Sequence, residues 1–300
     1  MTRTIQPWKE AHAPALSKLI ERLAERYQPL QIYSFGYVST VRRMEGCFRK
    51  ASVDGEHQHF LFLVKEDNQN ISHDVQEFAS AHYRHGVVTM ICAGTERIQD
   101  QTHQGNSFYR TLMNEGTLLY SRDGMAFAKP SPENEPEDPL VTTENALLKA
   151  DRYVLHRLPI AESFLNAGHP ALLDIQPKIR VFFLHQCVEQ CTILLIQLFT
   201  GHRSDLHSLK RQLQLCNCFS TLPYRHFLPG DAENERLFDI LVKSYSSARY
   251  KDRFEVSNAD AKALYTRVES FYNLTERMCQ EQIAILREEL DLMKTEKGEL

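Results

Sequence analysis

The sequence predicts two domains: an α+β N-terminal domain with a small mixed sheet, followed by an all-α helical bundle. Short runs of β-branched, aromatic and aliphatic residues, typical of strands, occur only in the first half of the chain. Farther along, apolar residues recur at the three-and-four spacing of helices. A stretch rich in proline and acid, residues 129–138, lies between the two patterns and indicates a linker. The predicted organisation is a first domain at 1–128, a linker at 129–142 and a helical domain at 143–300.

The first domain is predicted to begin with a helix from Ala13 to Tyr27, whose leucines and isoleucine share one face. Two further helices are expected between the strands. Their bounds are Ile71–His85 and Asn106–Asn114. The four predicted strands are Gln31–Gly36, His59–Val64, Val87–Ile91 and Thr117–Tyr120. Helices interspersed with short strands are typical of an α+β domain with a small sheet.

Six helices are predicted in the second domain. They are Glu144–Leu158, Pro159–Ala167, Pro177–Phe199, Leu206–Asn217, Asn234–Tyr250 and a last helix from Asn258 toward the C-terminus. Pro177 suits the first position of a helix, where its missing N–H costs nothing, and Gly201 suits the position just after a helix. Ser257 is expected to cap the last helix through its hydroxyl.

Composition excludes several classes of protein. Lys and Arg number 35 and Asp and Glu 39, so the net charge is −4, which argues against broad binding to duplex nucleic acid. The most apolar segment, Ile179–Phe199, contains Arg180, His185 and Glu189, so we expect a buried helix and no membrane span. Seven scattered cysteines and an N-terminus without an apolar stretch predict a cytoplasmic location.

A strand that runs into glycine and serine is the first candidate site. This segment contains three small residues close together, Ser34, Gly36 and Ser39. Backbone N–H groups that small residues leave exposed can bind phosphates. A simple strand-end turn is the commoner explanation of the same residues. A nucleotidyl-transferring enzyme would also need two carboxylates at alternate positions of the next strand to bind two divalent cations. His59 and Leu61 occupy those positions, so no catalytic residues are predicted here.

Polar residues on the apolar helix of the second domain are the other candidate site. His185 and Glu189 lie one helical turn apart, and they indicate either a hydrogen-bonded core network or a pocket. His207 comes near the start of the next predicted helix, and Arg249 and Tyr250 close a later one. A salt bridge at the helix end is the alternative interpretation of Arg249.

These features together resemble a known pair of domains. The apolar helix with His185 and Glu189, the Thr-Gly-His turn that follows it, His207, and the Ala-Arg-Tyr end at 248–250 resemble the HEPN domain, a helical bundle. HEPN domains often follow a nucleotidyltransferase domain of the DNA polymerase β type. The strand and Gly-Ser segment of the first domain resembles that partner, with its catalytic acids absent.

The resemblance implies two alternative functions. One HEPN branch is associated with nucleotide binding, to which His185, Glu189, His207, Arg249 and Tyr250 would contribute. The expected protein then binds a nucleotide or polyphosphate, with magnesium as a candidate companion ion, and acts in regulation or assembly. Many other HEPN domains are RNases with an Arg-x4-6-His motif, so an enzyme of RNA metabolism is the alternative. The one Arg-x4-His pattern, Arg180 to His185, begins the wrong helix for that motif.

The last helix predicts a homodimer. Between Asn258 and Lys297 there is no glycine or proline, and apolar residues recur at intervals of seven as far as Leu292. Such a helix would be about 60 Å long at 1.5 Å per residue, so its end is expected to overhang the bundle. Residues beyond Glu281 would then bind a second copy. The alternative is that this tail folds back on its own chain.

Overall fold

The structure is a computed structural model of the 300-residue chain. It describes residues 8–46, 49–67, 71–103, 106–124, 139–203, 207–228, 230–250 and 253–297. The chain forms two compact units, Met1–Ser131 and Pro132–Leu300. The first is α+β and the second is helical, so the predicted fold class is confirmed. Most of the predicted linker lies outside the described residues, and its last four residues belong to a helix.

The first unit contains four strands and four helices within its described residues. In chain order they are α1 (Trp8–Tyr27), β1 (Gln31–Gly46), β2 (Arg49–Lys65), α2 (Ser72–His82), β3 (Gly86–Gly94), α3 (Thr95–His103), α4 (Ser107–Glu115) and β4 (Thr117–Ser121). The sheet order is β3-β2-β1-β4. β2 and β3 are parallel, whereas β1 is antiparallel to both of its neighbours. All four predicted strands are therefore confirmed, in a mixed sheet.

The first unit differs from the prediction in a longer hairpin, β1–β2, and in an additional helix, α3. β1 and β2 form a hairpin that is much longer than the predicted strands, because the polar residues on both sides of the turn pair with one another. Helix α3 was not predicted, since its sequence is strongly polar. Asp67 stabilises the start of α3 by accepting hydrogen bonds from the Thr95 hydroxyl at 2.5 Å and the Glu96 backbone N–H at 2.9 Å.

The sheet is covered on both faces. Leu61 and Leu63 of β2 lie in a buried cluster with residues of α1 and α2. Phe62, on the opposite face of β2, contacts Phe108 of α4 with ring centroids 5.9 Å apart. Gln76 of α2 is hydrogen-bonded through both amide atoms to the backbone of β3, at 2.8 Å each. The sheet is therefore a packed core layer, which accounts for its long apolar runs.

The second unit contains six helices within its described residues. They are α5 (Pro139–Ala167), α6 (Pro177–Thr200), α7 (Leu209–Cys216), α8 (Leu222–Phe227), α9 (Ala232–Tyr250) and α10 (Asn258–Lys297). α6 lies at the centre and packs against α5, α7, α9 and α10. Among the described residues α6 is the one helix long and apolar enough to cross a membrane, and 67% of its apolar window is buried inside the unit. It therefore has the burial of a core helix.

Helix ends in this unit follow the predicted local rules. Pro177 occupies the first turn of α6, and Gly201 ends it in the left-handed region at φ 74°. The Gly201 N–H donates to the Gln197 carbonyl at 2.9 Å. Ser257 accepts the Asp260 N–H at 3.0 Å, so the predicted cap of α10 is confirmed.

The predicted break at Pro159 is wrong, because α5 is continuous through it. Pro159 lies on the exposed side of α5, where water can satisfy the carbonyl that loses its helical partner. α5 also begins earlier than predicted and packs along the end of α10, where Asp151 pairs with Arg287 at 3.6 Å. The expected overhang of α10 is therefore wrong as well, and the short helix α8 was not predicted.

Candidate functional site

Glu189 and His207 meet where α6 and α7 approach each other. Glu189 is 5% exposed on α6, and His207 precedes α7 with its imidazole 73% exposed. Nδ1 of His207 lies 3.2 Å from Oε1 of Glu189. Because a carboxylate only accepts hydrogen bonds, Nδ1–H donates, which leaves Nε2 as the basic nitrogen of the neutral ring. The structure thus brings together two of the predicted site residues, which are 18 positions apart in sequence.

Two arginines that the sequence prediction missed lie near this pair. Arg157 of α5 donates to the side-chain oxygen of Gln190 at 2.6 Å. The pKa of Arg157 is lowered by burial and also by the positive charge of Arg203, while the charge of Glu189 raises it. Two guanidinium groups and one carboxylate therefore lie within electrostatic reach. Arg157 was detectable in principle, since it is a charged residue on the core-facing side of an amphipathic helix.

A buried hydrogen bond holds α7 against α6. The Thr192 hydroxyl on α6 donates to the side-chain oxygen of Gln212 on α7, which at 2.7 Å is nearer than the carbonyl oxygens of Val188 and Glu189 on its own helix, and both Thr192 and Gln212 are fully buried. Since His207 lies two residues before α7, this bond determines where its imidazole stands relative to Glu189. We refer to Arg157, Glu189, Arg203 and His207 as the α6–α7 cluster.

His185 does not take part in the α6–α7 cluster. It is 1% exposed and stacks on Tyr245 of α9, with ring centroids 5.1 Å apart and planes inclined by 29°. The amide of Gln186 donates to its Nδ1 at 3.2 Å. Arg249 and Tyr250 form the end of α9, but their side chains lie outside the described residues. Their part in a site stays a prediction.

The Arg-x4-His pair is built into the core. Arg180 is 4% exposed and donates to the Pro170 carbonyl at 3.1 Å and to the Asn258 side chain at 2.5 Å. These bonds connect the start of α6 to the loop before it and to the start of α10. Both Arg180 and His185 are therefore inaccessible to an RNA strand, and their hydrogen bonds are those of structural residues.

The predicted Gly-Ser turn of the first unit is wrong. Ser34, Gly36 and Ser39 lie within β1, which continues to Gly46, with a bulge between Ser34 and Gly36. The backbone N–H groups of a paired, extended strand point toward its neighbouring strands. They do not converge on one anion, as those of a phosphate-binding turn do. Gly36 instead leaves room for the Phe60 ring. If residue 36 had a Cβ atom, that atom would lie 3.0 Å from the ring. The side chain of Ser39 lies outside the described residues.

The strand positions expected to carry catalytic acids belong to the core. His59 is 1% exposed, and its Nε2 lies 2.8 Å from the Tyr83 hydroxyl. Leu61 is fully buried under α1 and α2. Asp54 and Glu56 lie on β2, and their side chains are outside the described residues. Within the described part of the chain, no three His, Cys, Asp or Glu side chains are grouped so as to hold a metal ion.

Comparison with known proteins identifies the second unit. Residues 154–278 match the family model of the HEPN domain, from the middle of α5 into α10. The helical unit therefore carries a HEPN domain, and the resemblance predicted from sequence is confirmed for this unit. No curated protein matches the chain.

Among solved structures, the chain is similar to a nucleotidyltransferase-like protein from Exiguobacterium sibiricum 255-15. The identity is 12%, and the similarity covers 91% of this chain and 80% of that chain, at a TM-score of 0.26. A TM-score this low does not establish that either unit has the fold of that protein. The resemblance of the first unit to a nucleotidyltransferase therefore stays a prediction from its sequence.

Proposed function

We propose that this protein binds a nucleotide or polyphosphate at the α6–α7 cluster of its HEPN domain and acts in regulation or assembly. The observation that carries the proposal is the contact of exposed His207 with buried Glu189, beside Arg157, which donates to the neighbouring Gln190 and feels the charges of both Arg203 and Glu189. Arg157 and Arg203 repel each other, and Glu189 compensates only one of the two positive charges. A phosphate group would supply the missing negative charge.

The chemistry of these side chains suits phosphate. A guanidinium group presents a planar fork of N–H donors that matches phosphate oxygens, and such charge-assisted bonds are among the stronger ones in proteins. His207 adds a donor when it is protonated. A magnesium ion would accompany the phosphates themselves, because magnesium keeps several waters and commonly binds substrate phosphates.

Differential scanning fluorimetry of the full chain tests the proposal. ATP, GTP and inorganic pyrophosphate are added with and without magnesium, since a ligand that binds only the folded state raises the unfolding temperature. A ligand at 100 times its dissociation constant contributes about 2.7 kcal/mol. We expect Arg203→Ala and His207→Ala each to reduce this shift, while Arg225→Ala, at an exposed position on α8, retains it. Absence of any shift, or equal shifts in all variants, contradicts the proposal.

One observation favours RNA cleavage as a second candidate function. His207 is oriented by Glu189 through Nδ1, so its other nitrogen can act as a base on a ribose hydroxyl while Arg203 binds the phosphate. Incubation with single-stranded and structured RNA distinguishes the two functions. Cleavage that is lost in His207→Ala and reduced in Glu189→Gln supports an RNase, whereas ligand-dependent stabilisation without cleavage supports binding alone.

The first unit is proposed to be a nucleotidyltransferase-like domain that transfers no nucleotide. Buried His59 and Leu61 support this, because neither can ligate magnesium at the positions where acids would be required. Incubation with labelled triphosphates, manganese and candidate acceptors tests it. Metal-dependent labelling that Asp54→Asn or Glu56→Gln abolishes would place catalytic acids on β2.

The protein is proposed to reside in the cytoplasm. The six cysteines in the described part of the chain all carry free thiols, as suits a reducing compartment. Fractionation of cells that express the tagged full chain tests this location, and recovery of the protein with membranes or in the medium contradicts it.

A further inference from the structure

A buried arginine at the start of α6 lacks a counter-charge. Arg180 is 4% exposed, and its hydrogen-bond acceptors, the Pro170 carbonyl and the Asn258 side-chain amide, are both neutral. Asp260, the acid in the first turn of α10, pairs with Arg236 of α9 instead. Among the described residues no carboxylate pairs with Arg180. A buried charge without an opposite charge costs free energy, so an explanation is required.

One donor of this guanidinium group has no acceptor. Nη2 of Arg180 donates to Oδ1 of Asn258 at 2.5 Å. Nε lies on the same edge of the planar group, and it has no hydrogen-bond partner in the described part of the chain. This edge is suited to bind two oxygens of a carboxylate or a phosphate side by side. Because the amide has a single oxygen, Asn258 fills only half of a two-oxygen site.

The helix ends around Arg180 also favour a negative charge. Arg180 lies in the first turn of α6, and its guanidinium group contacts the first residue of α10, so two helix N-termini meet beside it. The N-terminus of a helix carries a partial positive charge. Gln176 precedes α6 without capping it through its side chain, and Lys178 adds a positive charge in the first turn. An anion at this place would compensate these positive charges.

Asn258 is able to give way to such an anion. Its side chain is exposed, in contrast to the buried Arg180. Rotation of the Asn258 side chain frees Nη2, next to the Nε that already lacks a partner. Arg180 keeps its bond to the Pro170 carbonyl through Nη1 during this change. An opening of this size admits a small ion and still excludes an RNA strand.

We propose that Arg180 binds a small oxyanion, of the class of inorganic phosphate, through Nε and Nη2. The exposed Asn258 side chain is the group that the ion displaces. The bound ion links the starts of α6 and α10 and thereby stabilises the helical unit. The site is separate from the α6–α7 cluster, because Arg180 lies nine residues before Glu189 on α6, about 14 Å along the helix at 1.5 Å per residue.

Isothermal titration calorimetry of inorganic phosphate into the full chain tests the proposal. The parent chain for this test carries Arg203→Ala and His207→Ala, so the result does not depend on the function proposed for the α6–α7 cluster. We expect one phosphate to bind per chain. Arg180→Lys keeps the charge but not the two-donor edge. It should weaken binding about tenfold, the loss expected for one charge-assisted hydrogen bond.

Substitutions of Asn258 test the site without altering a buried residue. Asn258→Ala removes the competing amide, so phosphate should bind more tightly and raise the unfolding temperature by more than in the parent chain. Asn258→Asp supplies a carboxylate of its own, so phosphate should no longer bind. Asn273→Ala, at an exposed position of the same helix, is the matched control and should bind phosphate as the parent chain does.

Four results would each overturn the proposal. They are a parent chain without saturable phosphate binding, unchanged binding in Arg180→Lys, phosphate binding by Asn258→Asp equal to that of the parent chain, and equal effects of Asn258→Ala and Asn273→Ala.

Discussion

Replacement of Thr192 by valine probes how firmly α7 is held to α6. Valine has nearly the same shape as threonine, so the substitution removes the hydroxyl without making a cavity. The Gln212 side-chain oxygen loses a donor that lies 2.7 Å away, in a place where neither Thr192 nor Gln212 is exposed to water. Loss of a partner from a buried acceptor costs about 1–3 kcal/mol. For a unit of this size, each kcal/mol shifts the unfolding temperature by about 2–4 °C.

Thr275 on α10 provides a matched control. It is also fully buried, and its hydroxyl donates only to the Phe271 carbonyl of its own helix, at 2.9 Å. That carbonyl retains its helical N–H partner after Thr275→Val, so the control should be close to neutral.

Urea unfolding and calorimetry of both variants measure the difference. We expect Thr192→Val to lower the free energy of unfolding by about 2 kcal/mol relative to Thr275→Val. The same variant should weaken any ligand stabilisation that depends on His207, because α7 orients that residue. Equal free energies of unfolding in the two variants would refute the role assigned to the Thr192–Gln212 bond.

Three further predictions concern packing and charge. Gly168→Ala is expected to lower the free energy of unfolding by about 1–3 kcal/mol in urea, because the new Cβ would lie 2.7 Å from the buried Leu184 side chain. Phe271→Ala should cost about 3–5 kcal/mol in the same assay, since the ring is fully buried in the helical core. The hydrogen bond from Arg236 lowers the pKa of Asp260 below its ordinary value of 3.8. The carboxylate therefore stabilises the folded protein above pH 3.8, and this stabilisation is lost as the pH falls through the lower pKa of the folded state. Acid titration followed by circular dichroism should therefore show that the destabilisation caused by Asp260→Asn disappears at low pH.

The structure brings together one pair of the site residues predicted from sequence. Glu189 and His207 were both singled out, because polar residues in an apolar segment and at a helix start are visible without a structure. Arg157 was missed, since no sequence spacing connects α5 with the turn between α6 and α7. Gly36 and Ser39 were assigned to a turn at the end of a strand, and the long ladder between β1 and β2 shows that the strand continues through them.

Features that depend on neighbouring residues could be predicted without the structure. Pro177, Gly201 and Ser257 set helix ends through backbone geometry and local hydrogen bonds, and apolar periodicity located the four strands and most of the helices. Two features became visible only in the folded chain: α5 runs through Pro159, and Arg157 of α5 contacts Gln190, the residue next to Glu189. Helix caps and apolar periodicity depend on interactions between residues that are close in sequence. Burial, solvent access to a freed carbonyl and the approach of distant charges depend instead on which elements pack together.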